Sequence, residues 1–67
     1  MIEIVLNGEP TTLAREQTLE ELCTQLRLPA RGVAVAVNFE LIPKARTADI
    51  TLRDRDVVEI VTATAGG

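Results

Sequence analysis

Ile2-Glu3-Ile4-Val5-Leu6-Asn7-Gly8-Glu9-Pro10 is the stretch from which the fold can be worked out. Ile2, Ile4 and Leu6 alternate with Glu3 and Val5, so one side of an extended segment is apolar, as in a half-buried strand. Asn7-Gly8 tolerates the positive φ angles of a type I′ turn, which makes the segment the first arm of a hairpin. Pro10 has no N–H to give to a ladder. The returning strand, read as Thr11 to Ala14, is therefore short and at an edge.

Beyond this hairpin, Thr18-Leu19-Glu20-Glu21 fits a capping box and starts the one helix. Glu20 and Glu21 suit the positive end of its dipole. Leu19, Leu22, Cys23 and Leu26 form an apolar stripe at helical spacing, and Pro29 stops the helix by Leu28. Val33-Ala34-Val35-Ala36-Val37 alternates β-branched residues with alanines and reads as a strand. Asn38-Phe39-Glu40 reads as a turn and Leu41-Ile42 as a short return strand ended by Pro43. Residues 44–52 read as irregular, with Ile50 and Leu52 as core plugs. Asp54-Arg55-Asp56 is a turn before the last strand, Val57 to Thr62, which carries Val58 and Ile60 on one face and Val57, Glu59 and Val61 on the other. The expected core joins Ile2, Ile4, Leu6, Val33, Val35, Val37, Val58 and Ile60 to the helix stripe, with the first and last strands central. This order predicts an α+β fold of the β-grasp, ubiquitin-like kind: a mixed sheet of about five strands with one main helix on one face. Residues 1–62 form the domain, and residues 63–67 form a flexible tail ending in Gly-Gly.

Composition narrows the chemistry. A chain of 67 residues, 46% hydrophobic and 25% charged, allows one domain. At this size only about 60% of the extended-chain surface is buried, leaving little room for an enclosed active site. A carrier, a binding module or a small subunit fits better than an enzyme. With no His, a His base or His metal ligand is excluded, and one cysteine, Cys23, makes neither an internal disulfide nor a multi-Cys zinc site. No metal site is expected. The single Cys and the lack of a recognisable signal peptide fit a cytoplasmic protein. No apolar run approaches the roughly 20 residues that span a bilayer. A net charge of −3 and a pI near 4.7 argue against nucleic acid and anionic membrane as partners.

The tail asks for a chemical explanation. Ala65, Gly66 and Gly67 close the chain. Two glycines remove both Cβ atoms beside the terminal carboxylate, so the tail can enter a narrow channel in any backbone conformation. From Ala63 it reaches at most about 17 Å, enough to place that carboxylate in another protein's active site. A carboxylate becomes an acyl donor once adenylation supplies a leaving group. A frayed terminus is the plain alternative.

In this setting the chain resembles the ThiS/MoaD group of ubiquitin-like sulfur carriers, on its thiamine-biosynthesis side. The matching residues are Asn7-Gly8, Gln17-Thr18 with Glu21-Leu22, Val35-Ala36-Val37-Asn38, Ile42-Pro43-Lys44, Asp54 with Asp56, and Ala65-Gly66-Gly67. The resemblance implies a cycle. A ThiF-like adenylating enzyme uses ATP and Mg, neither bound by this chain, to adenylate Gly67. A sulfur donor system converts it to a thiocarboxylate, and a ThiG-like thiazole synthase takes the sulfur. Carriers for molybdopterin, cysteine or tRNA thiolation, a protein modifier and a passive interaction module are the competing readings.

Three departures from the family pattern stand out. Arg55 replaces the usual Gly, so the turn is expected to avoid positive φ. Lys44 replaces Arg, and no Trp occurs in residues 45–49.

Partner-binding candidates follow from the strand faces. Val5, Ala36, Val57 and Val61 should lie on the side away from the helix, as a docking patch or as scattered surface residues. Phe39 is either an exposed anchor or a ring folded back on the sheet edge. Asp54, Asp56 and Glu59 either steer toward a basic partner or serve as turn formers and a solvated strand residue. Lys44 reads as a solvated charge, and Cys23 as core packing rather than sulfur handling. The isolated chain is expected to be a monomer.

Overall fold

The computed structural model describes residues 1–63. Strands β1 (Ile2–Leu6) and β2 (Glu9–Leu13) form the first hairpin. A two-residue strand, β3 (Gln17–Thr18), leads into helix α1 (Leu19–Gln25). Strands β4 (Val33–Val37) and β5 (Glu40–Ile42) make the second hairpin. A 3-10 helix over Lys44–Asp49 is followed by β6 (Thr51–Leu52) and β7 (Val57–Thr62). The main sheet has the order β2-β1-β7-β4-β5, and β3 pairs with β6 apart from it. β7 runs parallel to β1 and antiparallel to β4, so the last strand fills the space between the two hairpins. This is the β-grasp arrangement, a mixed sheet carrying one main helix. No helix of the described residues is long and apolar enough to cross a membrane.

Local chemistry accounts for these elements. Asn7 and Gly8 take φ angles of 50° and 84°, as a type I′ turn requires. The Thr18 hydroxyl accepts from the Glu21 N–H at 3.1 Å, and a Glu21 carboxylate oxygen accepts from the Thr18 N–H at 2.8 Å. That reciprocal pair is the expected capping box. Ile4, Leu19, Leu52 and Val58 are fully buried between sheet and helix, with Ile2, Leu13, Leu22, Val35 and Val37 around them. Burial of each large aliphatic chain contributes about 1.5–3 kcal/mol.

Several expectations need correction. β2 begins at Glu9 rather than Thr11, with Pro10 opposite Val5. A proline fits an edge strand when its nitrogen faces solvent. Leu26 is 41% exposed because α1 ends at Gln25 and the stripe runs out with it. Residues 44–52 are not irregular: they comprise the 3-10 helix and β6, whose Leu52 pairs with Gln17. Arg55 does adopt positive φ, at 74°. Its N–H donates to the Glu3 carbonyl at 2.7 Å, which holds the turn in the geometry a glycine would take more easily.

Candidate functional site

Strand register sets the face opposite the helix. Ala34 pairs with Val61, and Ala36 pairs with both Glu59 and Leu41. Val5 pairs with Val57 and with Pro10. Directly paired residues project to the same side of a sheet. Three rows therefore cross the open face: Ala34–Val61, then Leu41–Ala36–Glu59, then Val57–Val5–Pro10. Val5 and Val57 are half-buried, whereas Val61 is 66% and Leu41 68% exposed. The proposed residues Val5, Val57 and Val61 thus share one surface. Leu41 belongs to it as well and was not singled out from the sequence. The available signal was its opposition to Ala36 across the second hairpin, which alternation alone would have put on this face.

Phe39 stands apart. It sits at the β4–β5 turn, 81% exposed, with φ at 69°. The ring is out in solvent, not folded over the sheet edge, and the backbone is in a region that disfavours bulky side chains. Asn38 beside it accepts from the Val57 N–H at 2.9 Å and donates to Asp56 at 3.1 Å, which ties this turn to the start of β7.

The acidic candidates divide. Asp54 accepts from the Glu3 N–H and Asp56 from the Arg53 N–H, both at 2.8 Å, so these two carboxylates shape the turn. Glu59 makes no ion pair among the described residues; the two pairs formed are Arg46–Asp49 and Arg55–Asp54. Lys44 is not simply solvated: its ammonium donates to the Ala30 carbonyl at 2.8 Å. No cluster of potential metal ligands occurs among the described residues.

On the helix side a cavity of about 580 Å³ is lined by Cys23, Leu28, Arg31, Gly32, Lys44 and others. Cys23 is half-buried there, and burial followed by the nearby Glu20 carboxylate pushes its thiol up from the usual range. Such a thiol is a weak nucleophile at neutral pH.

The chain leaves the sheet at the Val61 end of the open face. The Ala63 N–H donates to the Gly32 carbonyl at 2.6 Å. Gly32 has φ of 73°, and a Cβ built on it would lie 3.4 Å from Ala63, in close contact. The tail residues Ala65, Gly66 and Gly67, with Gly67 the expected site of modification, lie outside the described residues.

Comparisons with known proteins agree on one family. The sequence model of the ThiS family matches residues 4–67. The sulfur carrier protein ThiS of Thermus thermophilus is 42% identical over 62 residues, covering 92% of this chain and 95% of that protein. A thiazole synthase of Paramagnetospirillum magneticum is 36% identical over 66 residues; this covers 98% of the chain but only 20% of the synthase. Among solved structures, the thiamine biosynthesis protein ThiS from Geobacter metallireducens superposes with a TM-score of 0.84 at 29% identity, covering 98% of this chain and all of that one.

Proposed function

Because the chain belongs to the ThiS family, we propose that it is a sulfur carrier of thiamine biosynthesis, acted on by enzymes rather than being one. The observation that carries this reading is the family match itself, which runs through Gly66 and Gly67. In the proposed cycle a ThiF-like enzyme joins the Gly67 carboxylate to AMP, using ATP and Mg and releasing pyrophosphate. Sulfur from the donor system then attacks the acyl carbon and releases AMP; it arrives as sulfide, or as a persulfide whose S–S bond a thiol reductant cleaves, and leaves a thiocarboxylate. A ThiG-like thiazole synthase takes the sulfur into its substrate, and an oxygen from that substrate or from water takes its place on Gly67 and returns the carboxylate. The similarity of the chain to a stretch of a thiazole synthase supports that pairing.

The fold suits the task. Adenylation needs a carboxyl group that enters another protein's site while the carrier is gripped elsewhere. The open face, with Val5, Val57, Val61 and Leu41, offers the grip, and Phe39 is a second contact point at its far end. The tail departs from the Val61 end, so a partner seated on this face has the tail delivered to one side of it. Cys23, on the opposite side of the sheet and with a raised pKa, is left out of the sulfur path.

The test is ATP–pyrophosphate exchange by a ThiF-like enzyme in the presence of the chain. Exchange is expected with the full chain and is lost on deletion of Gly66-Gly67, while the thermal unfolding transition stays in place. Undiminished exchange with the deletion variant would overturn the assignment of Gly67.

A further inference from the structure

Glu59 is the anomaly of the open face. It sits on β7, the central strand of the sheet, where glutamate is a poor strand former. Val57 and Val61 flank it along the strand, and Ala36 with Leu41 behind it lies across from it. It has no ionic partner among the described residues. Nothing in the packing requires a carboxylate here; Val58 and Ile60, its neighbours in sequence, supply the inward contacts.

The charges of this face have one sign. By register, its strand residues include Glu3 and Glu59 and no lysine or arginine. Arg55, in the turn before β7, approaches Asp54 at 3.8 Å and forms no pair with Glu59. A partner that covers Leu41, Ala36 and Val61 removes water from Glu59 as well. A carboxylate desolvated without a counter-charge opposes binding strongly, and one that meets a cation fixes orientation and excludes wrong partners.

We propose that Glu59 is the specificity-determining charge of the docking face, and that its occupant is a protein surface presenting an arginine or lysine ringed by apolar side chains. Arginine suits the position best, since its planar fork can bind both carboxylate oxygens. Glu59 lies four residues before Ala63, about 13 Å of strand from the point where the tail leaves. An ion pair there anchors β7 to the partner at a fixed distance along the strand from Ala63. The inference rests on the reading of the open face as the surface gripped by the adenylating enzyme.

The experiment is calorimetric titration of that enzyme with four variants of the full chain. Glu59→Gln removes the charge and keeps the shape. Glu59→Lys reverses the charge, Leu41→Asp disrupts the apolar patch, and Glu3→Gln alters the other carboxylate of the face. Thermal unfolding is recorded for each. The proposal expects Glu59→Gln to bind about tenfold more weakly, Glu59→Lys weaker still, and Glu3→Gln within about twofold of the parent. All the Glu59 variants should unfold at the parental temperature. Binding of Glu59→Gln within about twofold of the parent, with Leu41→Asp weakened, would reduce Glu59 to a solvated strand residue on a real docking face. Parental binding by Leu41→Asp and Glu59→Gln together would remove the docking face itself. A lowered unfolding temperature for Glu59→Gln that accounts for its weaker binding would make the residue structural. Each of these three results overturns the proposal.

Discussion

Phe39 and Arg55 hold φ angles of 69° and 74° without being glycine. For an L-residue the left-handed region costs about 1–2 kcal/mol, so each turn stores strain that the flanking strands must offset. Arg55→Gly should raise the unfolding free energy by about 1 kcal/mol, part of the relief being returned as the greater chain entropy of unfolded glycine. Urea unfolding measures it, and a destabilised variant would show that the guanidinium does something the turn geometry does not reveal. At the other end of the residue scale, the capping box places Glu21 where the Thr18 N–H and then its hydroxyl hold the carboxylate below its ordinary pKa. The folded value is thus lower than the unfolded one. The resulting stabilisation is present above the unfolded value of about 4.3 and disappears as the pH falls through the folded value. Glu21→Gln should therefore unfold at lower urea than the parent at pH 7, and the gap should narrow as the pH falls below the unfolded value. Thr18→Ala, which removes the N-cap itself, should cost about 1 kcal/mol at neutral pH in the same assay.

At the scale of elements, the pieces with a local signal were legible in the sequence, the short β5 included, and the two-residue strands were not. The hairpin of β1 and β2, helix α1, and strands β4 and β7 each carry a strong local signal: a turn dipeptide, a capping box, or sustained alternation. β3 and β6 are two residues each. Two residues have no period to detect, and their pairing depends on bringing Gln17 beside Leu52 across 35 positions of chain. The same brevity hid the end of the helix stripe at Leu26. Yet this small sheet places Leu52 at zero exposure in the core. Leu52→Ala should cost about 2–5 kcal/mol, a large share of what a domain of this size has to lose. The open face behaves differently. Val61 is exposed, so Val61→Asp should cost no more than about 1 kcal/mol of stability, through its poor strand propensity, while weakening binding of the adenylating enzyme by about tenfold or more. Unchanged affinity would remove the row nearest the tail from the docking surface.

For the whole molecule, the architecture separates two sides of one sheet. The helix side holds the core and Cys23; the other side holds the exposed apolar rows and Glu59; and the central strand β7 carries the chain to Ala63, beside Gly32. The candidate face was readable because alternation assigns sides to residues. Its extent was readable too: Leu41, in the predicted return strand, lies opposite Ala36, though it was not singled out. The chemistry of Gly67 comes from the family and from the reactivity of an activated carboxyl group, not from contacts within the described residues. If sulfur travels on Gly67 alone, Cys23→Ser should carry it as well as the parent. The most direct test is mass spectrometry of the C-terminal peptide after incubation with ATP, Mg, a ThiF-like enzyme and a sulfur source. The peptide is needed because oxidation of Met1 changes the intact mass by the same nominal amount as sulfur replacing oxygen. The account predicts that exchange at Gly67, in the parent and in Cys23→Ser alike. An unmodified Gly67 beside a demonstrably active enzyme, or sulfur found on Cys23 instead, would contradict it.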